Sequence, residues 1–131
     1  MAMKQPKLPK PTDAELAVLQ VLWRRGPSTV REVWENSRAA GRTGYTTVLK
    51  TLQIMFEKGL VERDEAERSH VYKARVSEGQ TQRRVIGDLL KSVFAGSAPR
   101  LVMQALSLKK ATPAELAEIR KLLNEMEGGK K

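Results

Sequence analysis

Three polar residues near the middle of the chain, Thr46, Thr47 and Lys50, carry the clearest chemical signal in the sequence. On a helix of 3.6 residues per turn, their spacing places them opposite an apolar stripe that includes Val48 and Leu52. A threonine hydroxyl can hydrogen-bond to a base edge, and its methyl group can contact thymine. A lysine ammonium suits the acceptors of guanine or a phosphate. The pattern predicts a helix face that reads the major groove of DNA.

Residues on either side of this face extend the candidate interface. Arg42 stands just before the helix, and the cations of a following hairpin can contact phosphates, although neighbouring carboxylates offset part of their charge. Tyr45 opens the apolar stripe of the helix, and Thr51 flanks its polar face. The candidate DNA contacts are therefore Arg42, Tyr45, Thr46, Thr47, Lys50, Thr51, Arg63, Arg68 and Lys73.

Two short helices precede this segment. Thr12 and Glu15 have the spacing of a reciprocal capping box, and apolar residues then recur at helical spacing up to the Gly-Pro pair at positions 26 and 27. Ser28 is the predicted cap of a second helix, which ends near Gly41. The apolar side chains of both helices are assigned to the hydrophobic core.

The third helix is predicted to run from Tyr45 to Lys58 and to be closed by Gly59. The alternation of residues around Val71 then predicts a hairpin. Three helices followed by a hairpin are the element order of a winged helix-turn-helix domain, here with a wing of two or three strands. The apolar face of the third helix consists of Tyr45, Val48, Leu49, Leu52, Met55 and Phe56.

The remainder of the chain is predicted to be helical and amphipathic. A fourth helix covers about residues 77–95, a short fifth helix follows a break at residues 96–99, and Thr112 with Glu115 forms a capping box for a sixth. A DNA-binding domain does not need this apolar surface, so we expect a second copy to cover it. Folding back onto the same domain is the alternative. The predicted dimerisation residues are Val93, Phe94, Leu101, Val102, Leu106, Leu116, Ile119, Leu122 and Leu123.

The predicted fold is thus mainly helical, of α+β type. A flexible basic arm (residues 1–11) precedes a winged-helix DNA-binding domain (12–76) and a helical dimerisation region (77–131). The 131 residues include 24 Lys and Arg against 15 Asp and Glu, a formal net charge of +9. This excess favours a polyanionic partner such as double-stranded DNA, with solubility as the alternative explanation.

The composition excludes several function classes. The chain has no cysteine, which rules out disulfides, thiolate metal sites and cysteine nucleophiles. Its one histidine, His70, cannot build a zinc site alone, and no arrangement of residues indicates catalysis. The sequence contains no apolar run long enough to span a membrane and no signal peptide at its start. We expect a cytoplasmic protein that is not an enzyme, does not insert into membranes and needs no metal or cofactor.

Three runs of the sequence carry a family resemblance: LPKPTDAELAVLQVLWRRGPSTVREVWE, GYTTVLKTLQIMFEKGLVERDE and HVYKARVS. The matching elements are the Thr-x-x-Glu start, the Trp that closes the first helix, the Tyr-Thr-Thr-Val opening of the third helix, and Lys-Gly-Leu-Val before the wing. The chain resembles the BlaI/MecI/CopY family of winged-helix repressors, also called the penicillinase repressor family. The resemblance covers about residues 8–127 and is more specific in the DNA-binding half.

The resemblance implies a homodimer that represses transcription from palindromic operators, with Thr46, Thr47 and Lys50 at groove-reading positions. It also implies a partner, a membrane metalloprotease sensor that triggers cleavage of the repressor in its dimerisation region. Family members cut in this way carry an Asn-Phe bond in the fifth helix, and the corresponding pair here is Gln104-Ala105. The copper-responsive branch uses C-terminal cysteines, which this chain lacks.

Two other functions remain compatible with the residues. A small-molecule-responsive winged-helix regulator can bind its ligand between the wing domain and the C-terminal helices. A nonspecific architectural protein can bind DNA through charge alone. Thermal shift against a metabolite panel distinguishes the first, and competition between an operator and bulk DNA distinguishes the second.

Overall fold

A computed structural model of the protein describes residues 10–37 and 43–128. The described part is mainly helical and contains one small antiparallel sheet whose strand order is β1-β3-β2. The predicted α+β winged-helix architecture is therefore confirmed, with three strands in the wing. The elements are α1 (Asp13–Arg25), β1 (Ser28–Thr29), α2 (Val30–Asn36), α3 (Tyr45–Lys58), β2 (Val61–Asp64), β3 (Val71–Ala74), α4 (Glu78–Ser92), α5 (Ala98–Leu108) and α6 (Pro113–Gly128).

The predicted capping boxes begin α1 and α6. The N–H of Glu15 donates to the Thr12 hydroxyl at 3.2 Å, and the N–H of Thr12 donates to the Glu15 carboxylate at 2.9 Å. Thr112 and Glu115 repeat the arrangement at 3.1 and 2.8 Å. These reciprocal bonds satisfy backbone donors that have no partner within the helix, so both helices begin where the sequence predicts.

The second helix differs from its prediction at both ends. Ser28 is not the cap: it lies buried in β1, paired with Tyr72 of β3. Thr29 takes the capping position and exchanges two hydrogen bonds with Glu32, at 3.1 and 2.9 Å. The helix ends at Asn36 rather than near Gly41, because Ser37 already has an extended backbone. Arg42 and most of the predicted basic arm lie outside the described residues.

The hydrophobic core lies where α1, α2 and α3 meet the sheet. Leu19, Leu52 and Met55 are fully buried, and Tyr72 covers them from the wing side of the core. The indole N–H of Trp23 donates to the carbonyl of Val76 at 2.9 Å and joins the end of α1 to the chain leaving β3. The complete core set is Val18, Leu19, Val21, Leu22, Val30, Val33, Val48, Leu52, Met55, Leu60, Val61 and Tyr72.

The predicted apolar face of α3 is confirmed in its centre and wrong at its edges. Val48, Leu52 and Met55 are buried and Leu49 is half-buried, but Tyr45 and Phe56 are 40% and 37% exposed. Each of the two aromatic rings has an arginine guanidinium beside it, Arg31 at Tyr45 and Arg63 at Phe56. A guanidinium is attracted to the face of an aromatic ring also at exposed sites, so such a partner is compatible with partial exposure of the ring.

The chain divides into two compact units, one ending at Ile86 and the other beginning at Gly87. The second unit contains α5, α6 and the last residues of α4, and none of its described residues is buried. The fourth helix ends at Ser92 rather than near Ala95, because Ala95 and Gly96 have positive φ angles of 49° and 83° that a helix cannot include. Among the described helices, none combines the length and apolarity needed to cross a bilayer.

Candidate nucleic-acid interface

The position of α3 exposes one polar face of the helix. Because Val48, Leu52 and Met55 are buried in the core, the opposite side of α3 points to solvent. Thr46, Thr47 and Lys50 are all exposed, as the sequence predicts. The N-cap residue of α3 is Gly44, which has no side chain to cap the first turn. The N–H groups of that turn therefore add a partial positive charge beside the exposed threonines.

Thr51 is the one candidate in α3 that the structure separates from this group. It is half-buried, and its hydroxyl donates to the carbonyl of Thr47 at 2.8 Å. Such a bond within the helix occupies the only donor of the side chain. Thr51 therefore presents less of its polar group to solvent than Thr46 or Thr47 does.

Aromatic contacts fix the start of α3. The indole N–H of Trp34 in α2 donates to the carbonyl of Thr43 at 2.7 Å, which holds the backbone entering α3. The rings of Trp34 and Tyr45 meet edge to face with their centres 6.3 Å apart. The guanidinium carbon of Arg31 lies 5.7 Å from the centre of the Tyr45 ring. Tyr45 thus links α2 to the first turn of α3.

The wing cations differ in what surrounds them. The guanidinium of Arg63 lies 4.0 Å from the centre of the Phe56 ring and 2.6 Å from a carboxylate oxygen of Glu65. Hydrogen bonds with Tyr72 and Glu65 raise the pKa of Arg63 above its ordinary value. Lys73 forms a looser, exposed ion pair of 3.4 Å with Glu62.

Arg68 lies at the turn of the wing and is exposed. Within residues 10–37 and 43–128 it forms no ion pair. Of the three cations that the sequence predicts in the wing, it is therefore the one whose charge no carboxylate offsets.

A groove of about 500 Å³ runs between the start of α2, one side of α3 and the wing. We call it the basic groove, because Arg31, Arg63, Arg68 and His70 line it and none of its lining residues is acidic. It brings together candidates from α3 and the wing that are more than ten residues apart in sequence. The full lining is Thr29, Val30, Arg31, Tyr45, Leu49, Gln53, Arg63, Arg68, Ser69, His70 and Tyr72.

Several residues of the basic groove are absent from the sequence-based set of contacts, among them Arg31 and Gln53. Gln53 could have been included, since it follows Lys50 by one helical turn and flanks the same face. No local pattern in the sequence indicated Arg31, because its position beside Tyr45 depends on how α2 packs against α3. Among the described residues, no cluster of three His, Asp or Glu side chains could hold a metal ion.

Comparison with known proteins identifies the family of this chain. The model of the family described as "Penicillinase repressor" matches residues 11–125. The chain belongs to the penicillinase repressor family. The resemblance seen in the sequence is therefore confirmed, and it extends through the C-terminal helices.

Individual relatives match different shares of this chain. "Transcriptional regulator BlaI" of Mycobacterium tuberculosis is 42% identical over 67 residues, 50% of this chain and 49% of the relative. The match thus spans about half the length of that relative. "Penicillinase repressor" of Bacillus licheniformis is 23% identical over 125 residues, 95% of this chain and 98% of the relative. A solution structure of monomeric Bacillus licheniformis BlaI with the blaP half-operator has a TM-score of 0.48, with 26% identity, covering 56% of this chain and 89% of that one.

The family motifs have visible structural roles in this penicillinase repressor family member. Lys58 ends α3 and forms an ion pair with Glu15 at 2.8 Å, which connects the Lys-Gly-Leu-Val run to the Thr-x-x-Glu start. Gly59 adopts the left-handed conformation, with φ 85°, that closes the helix. Leu60 and Val61 then enter the core. The motifs therefore fix the C-terminal end of α3 and the start of the wing.

Proposed function

We propose that this chain is a transcriptional repressor that binds palindromic DNA operators sequence-specifically as a homodimer. The observation that carries the proposal is the exposed polar face of α3 on a helix whose other side is buried in the core of a winged-helix unit. In helix-turn-helix proteins, a helix presented in this way enters the major groove. Family membership and the net charge of +9 support the same function.

Base contacts in this proposal come from Thr46, Thr47 and Lys50. On a helix that lies in the major groove, the threonine hydroxyls and the lysine ammonium can contact base edges. Arg68 and Lys73 contact the phosphates alongside, which positions the protein without reading sequence. Arg63, which is already neutralised by Glu65 at 2.6 Å, contributes mainly by holding the wing against Phe56.

Dimerisation accounts for the apolar surface of the C-terminal helices. In α6 the side chains of Leu122 and Leu123 are 57% and 52% exposed, and in α5 that of Val102 is 47% exposed. Burying a fully exposed apolar side chain is worth about 1.5–3 kcal/mol, so covering the exposed half of each of these contributes on the order of 1 kcal/mol, and a surface with several of them favours a partner. A second copy offers the same surface and places two α3 helices on one symmetric site.

The predicted dimerisation residues vary in how far their own chain covers them. Val93 and Phe94 follow the end of α4 instead of lying within it. Phe94, Leu101, Leu106 and Ile119 are half-buried, whereas Val93, Val102, Leu116, Leu122 and Leu123 are exposed. The exposed members are therefore the best targets for disrupting the assembly.

Proteolysis is the proposed route to induction, with a membrane metalloprotease sensor as the partner that triggers it. Gln104 and Ala105 are exposed, but both lie inside α5. A protease binds an extended segment, so α5 must open locally before the bond between them is cut. The cut would detach α6 and its apolar residues from the DNA-binding unit.

The test of this function is selection of a binding site by the full-length chain from a randomised duplex pool. We expect a dyad-symmetric sequence, bound at least about 10³-fold more tightly than mixed-sequence DNA at the same salt concentration. Equal affinity for the selected and mixed duplexes would instead make the chain a nonspecific architectural protein. A selected site without dyad symmetry would contradict the homodimer.

A further inference from the structure

The basic groove contains one arginine, Arg31, that the proposed contacts of α3 and the wing do not use. Arg31, from α2, and Arg68, from the wing, line it together with His70. These side chains come from two separate elements, α2 and the turn between β2 and β3, and α3 also borders the groove. A site that gathers cations and no carboxylate favours an anionic ligand.

We propose that the basic groove binds the sugar-phosphate backbone of one DNA strand, with Arg31 and Arg68 as its phosphate contacts. The inference rests on the proposed function and names a contact, Arg31, that the sequence did not indicate. It makes α2 part of the interface, in addition to α3 and the wing.

The surroundings of Arg31 leave its charge available. Its side chain is 68% exposed, and its only ion pair in the described chain is with Glu35 at 4.0 Å. Such a long pair on a helix surface contributes little and is easily replaced by a phosphate. The Tyr45 ring, 5.7 Å from the guanidinium carbon, limits the directions the side chain can take.

The groove adjoins the reading face of α3. Tyr45, Leu49 and Gln53 are four residues apart and form the stripe of α3 that borders the groove. Gln53 stands one turn beyond Lys50 and therefore connects that stripe to the polar face. A strand whose bases meet Thr46 and Lys50 has its phosphates beside the groove, whereas a free small anion gains nothing from this continuity.

Arg63 has a different role at the same groove. Its guanidinium is bonded to Glu65 at 2.6 Å and covers the Phe56 ring at 4.0 Å. Because a carboxylate already neutralises it, its removal changes the position of the wing more than the charge of the groove. Arg31 and Arg68 are therefore the residues whose loss reports on phosphate contact.

The experiment measures the affinity of full-length protein for a mixed-sequence duplex of about 30 base pairs, three helical turns, across a range of salt concentrations. Each phosphate contact contributes about 0.9 to the slope of log affinity against log salt. Because the proposed homodimer carries two copies of each arginine, we expect Arg31→Gln and Arg68→Gln each to reduce the slope by about this amount per protomer, and to weaken binding about tenfold per protomer at 0.1 M salt. Arg31→Lys, which keeps the charge, should retain the wild-type slope.

Arg83→Gln is the matched control, because it removes one exposed arginine that does not line the groove. The groove assignment would be overturned if Arg31→Gln and Arg68→Gln had the same slope as Arg83→Gln. The proposed function would still stand in that case, provided that the wild-type slope is steep. A wild-type protein with no salt-dependent DNA affinity would overturn the proposed function itself. A third outcome would assign the groove to a small anion and overturn the proposal. In that outcome inorganic phosphate at constant ionic strength stabilises the wild-type protein, Arg31→Gln abolishes this stabilisation, and the salt slope for DNA is unchanged.

Discussion

The ammonium of Lys58 lies 2.8 Å from Oε2 of Glu15 and joins the last turn of α3 to the first turn of α1. Glu15 is only 3% exposed and also completes the capping box with Thr12. Burial raises the pKa of Glu15, but the bonds from Lys58 and the Thr12 N–H outweigh it, and the net pKa lies below the ordinary value of 4.5. The carboxylate is therefore charged at neutral pH and holds the end of α3 in place.

The first prediction concerns this ion pair. Glu15→Gln should lower the free energy of unfolding at pH 7 by about 1–3 kcal/mol, because Lys58 loses a charged acceptor. A carboxyl whose pKa is lower in the folded state stabilises the protein above its unfolded pKa, and the effect is lost as pH falls through the folded pKa. The difference between wild type and variant, measured by urea unfolding, should therefore shrink below about pH 4.5. An equal difference at pH 7 and pH 3 would contradict this. Glu35→Gln, at an exposed 4.0 Å pair, should change stability by less than about 0.5 kcal/mol.

The second prediction concerns the contact between Phe56 and Arg63. Phe56→Leu removes the ring beneath the guanidinium and should lower stability by about 0.5–1 kcal/mol. Hydrogen exchange at the amides of β2 and β3 should become faster, since the wing loses a contact with α3. Phe56→Trp should preserve protection because it keeps an aromatic face. Ile54→Ala, at a similarly exposed position of α3, is the control. Unchanged exchange in Phe56→Leu would show that Arg63 does not hold the wing.

Much of the winged-helix unit could be predicted from local signals. The bounds of α3 match their prediction because its apolar repeat is regular and Gly59 supplies the left-handed residue that ends it. The capping boxes at Thr12 and Thr112 are equally local, since four consecutive residues contain all their partners. Features of this kind do not depend on the rest of the fold.

The features that were missed depend on tertiary packing. Ser28 and Thr29 are both good cap residues, and only the pairing of Ser28 with Tyr72 in the sheet selects Thr29. Tyr45 and Phe56 fit an apolar stripe in the sequence, yet Arg31 and Arg63 from other elements cover them. The arginines of the basic groove are far apart in sequence, so no local pattern could have grouped them.

The third prediction tests dimerisation with a matched pair of variants in α6. Leu122→Glu places a charge at an exposed apolar position that a partner should cover. Sedimentation should show wild type as a dimer at micromolar concentration and Leu122→Glu as a monomer, because burying an unpaired carboxylate is costly. Asn124→Glu adds the same charge two residues along the helix and should leave the dimer intact. A monomeric wild-type protein would exclude the homodimer.

The fourth prediction concerns the product of proteolysis. A chain of residues 1–104 ends where a cut between Gln104 and Ala105 would leave it. It should sediment as a monomer and bind the selected palindrome several kcal/mol more weakly, because each protomer then holds only a half-site. Operator titration of the full and shortened chains measures the difference. Equal affinity would show that cleavage at this bond cannot end repression.

Reading of DNA sequence by α3 is tested by the ratio of the affinities for the selected and the mixed-sequence duplexes. Thr46→Ala and Lys50→Ala should each reduce this ratio about 5- to 150-fold, which corresponds to about 1–3 kcal/mol, since base contacts are lost while most phosphate contacts remain. Thr51→Ala is the matched control, because its hydroxyl is bonded to the Thr47 carbonyl, and it should leave the ratio unchanged. Both Thr46→Ala and Lys50→Ala should keep the wild-type melting temperature, since these side chains are exposed. A wild-type ratio in both Thr46→Ala and Lys50→Ala would show that α3 is not the recognition helix.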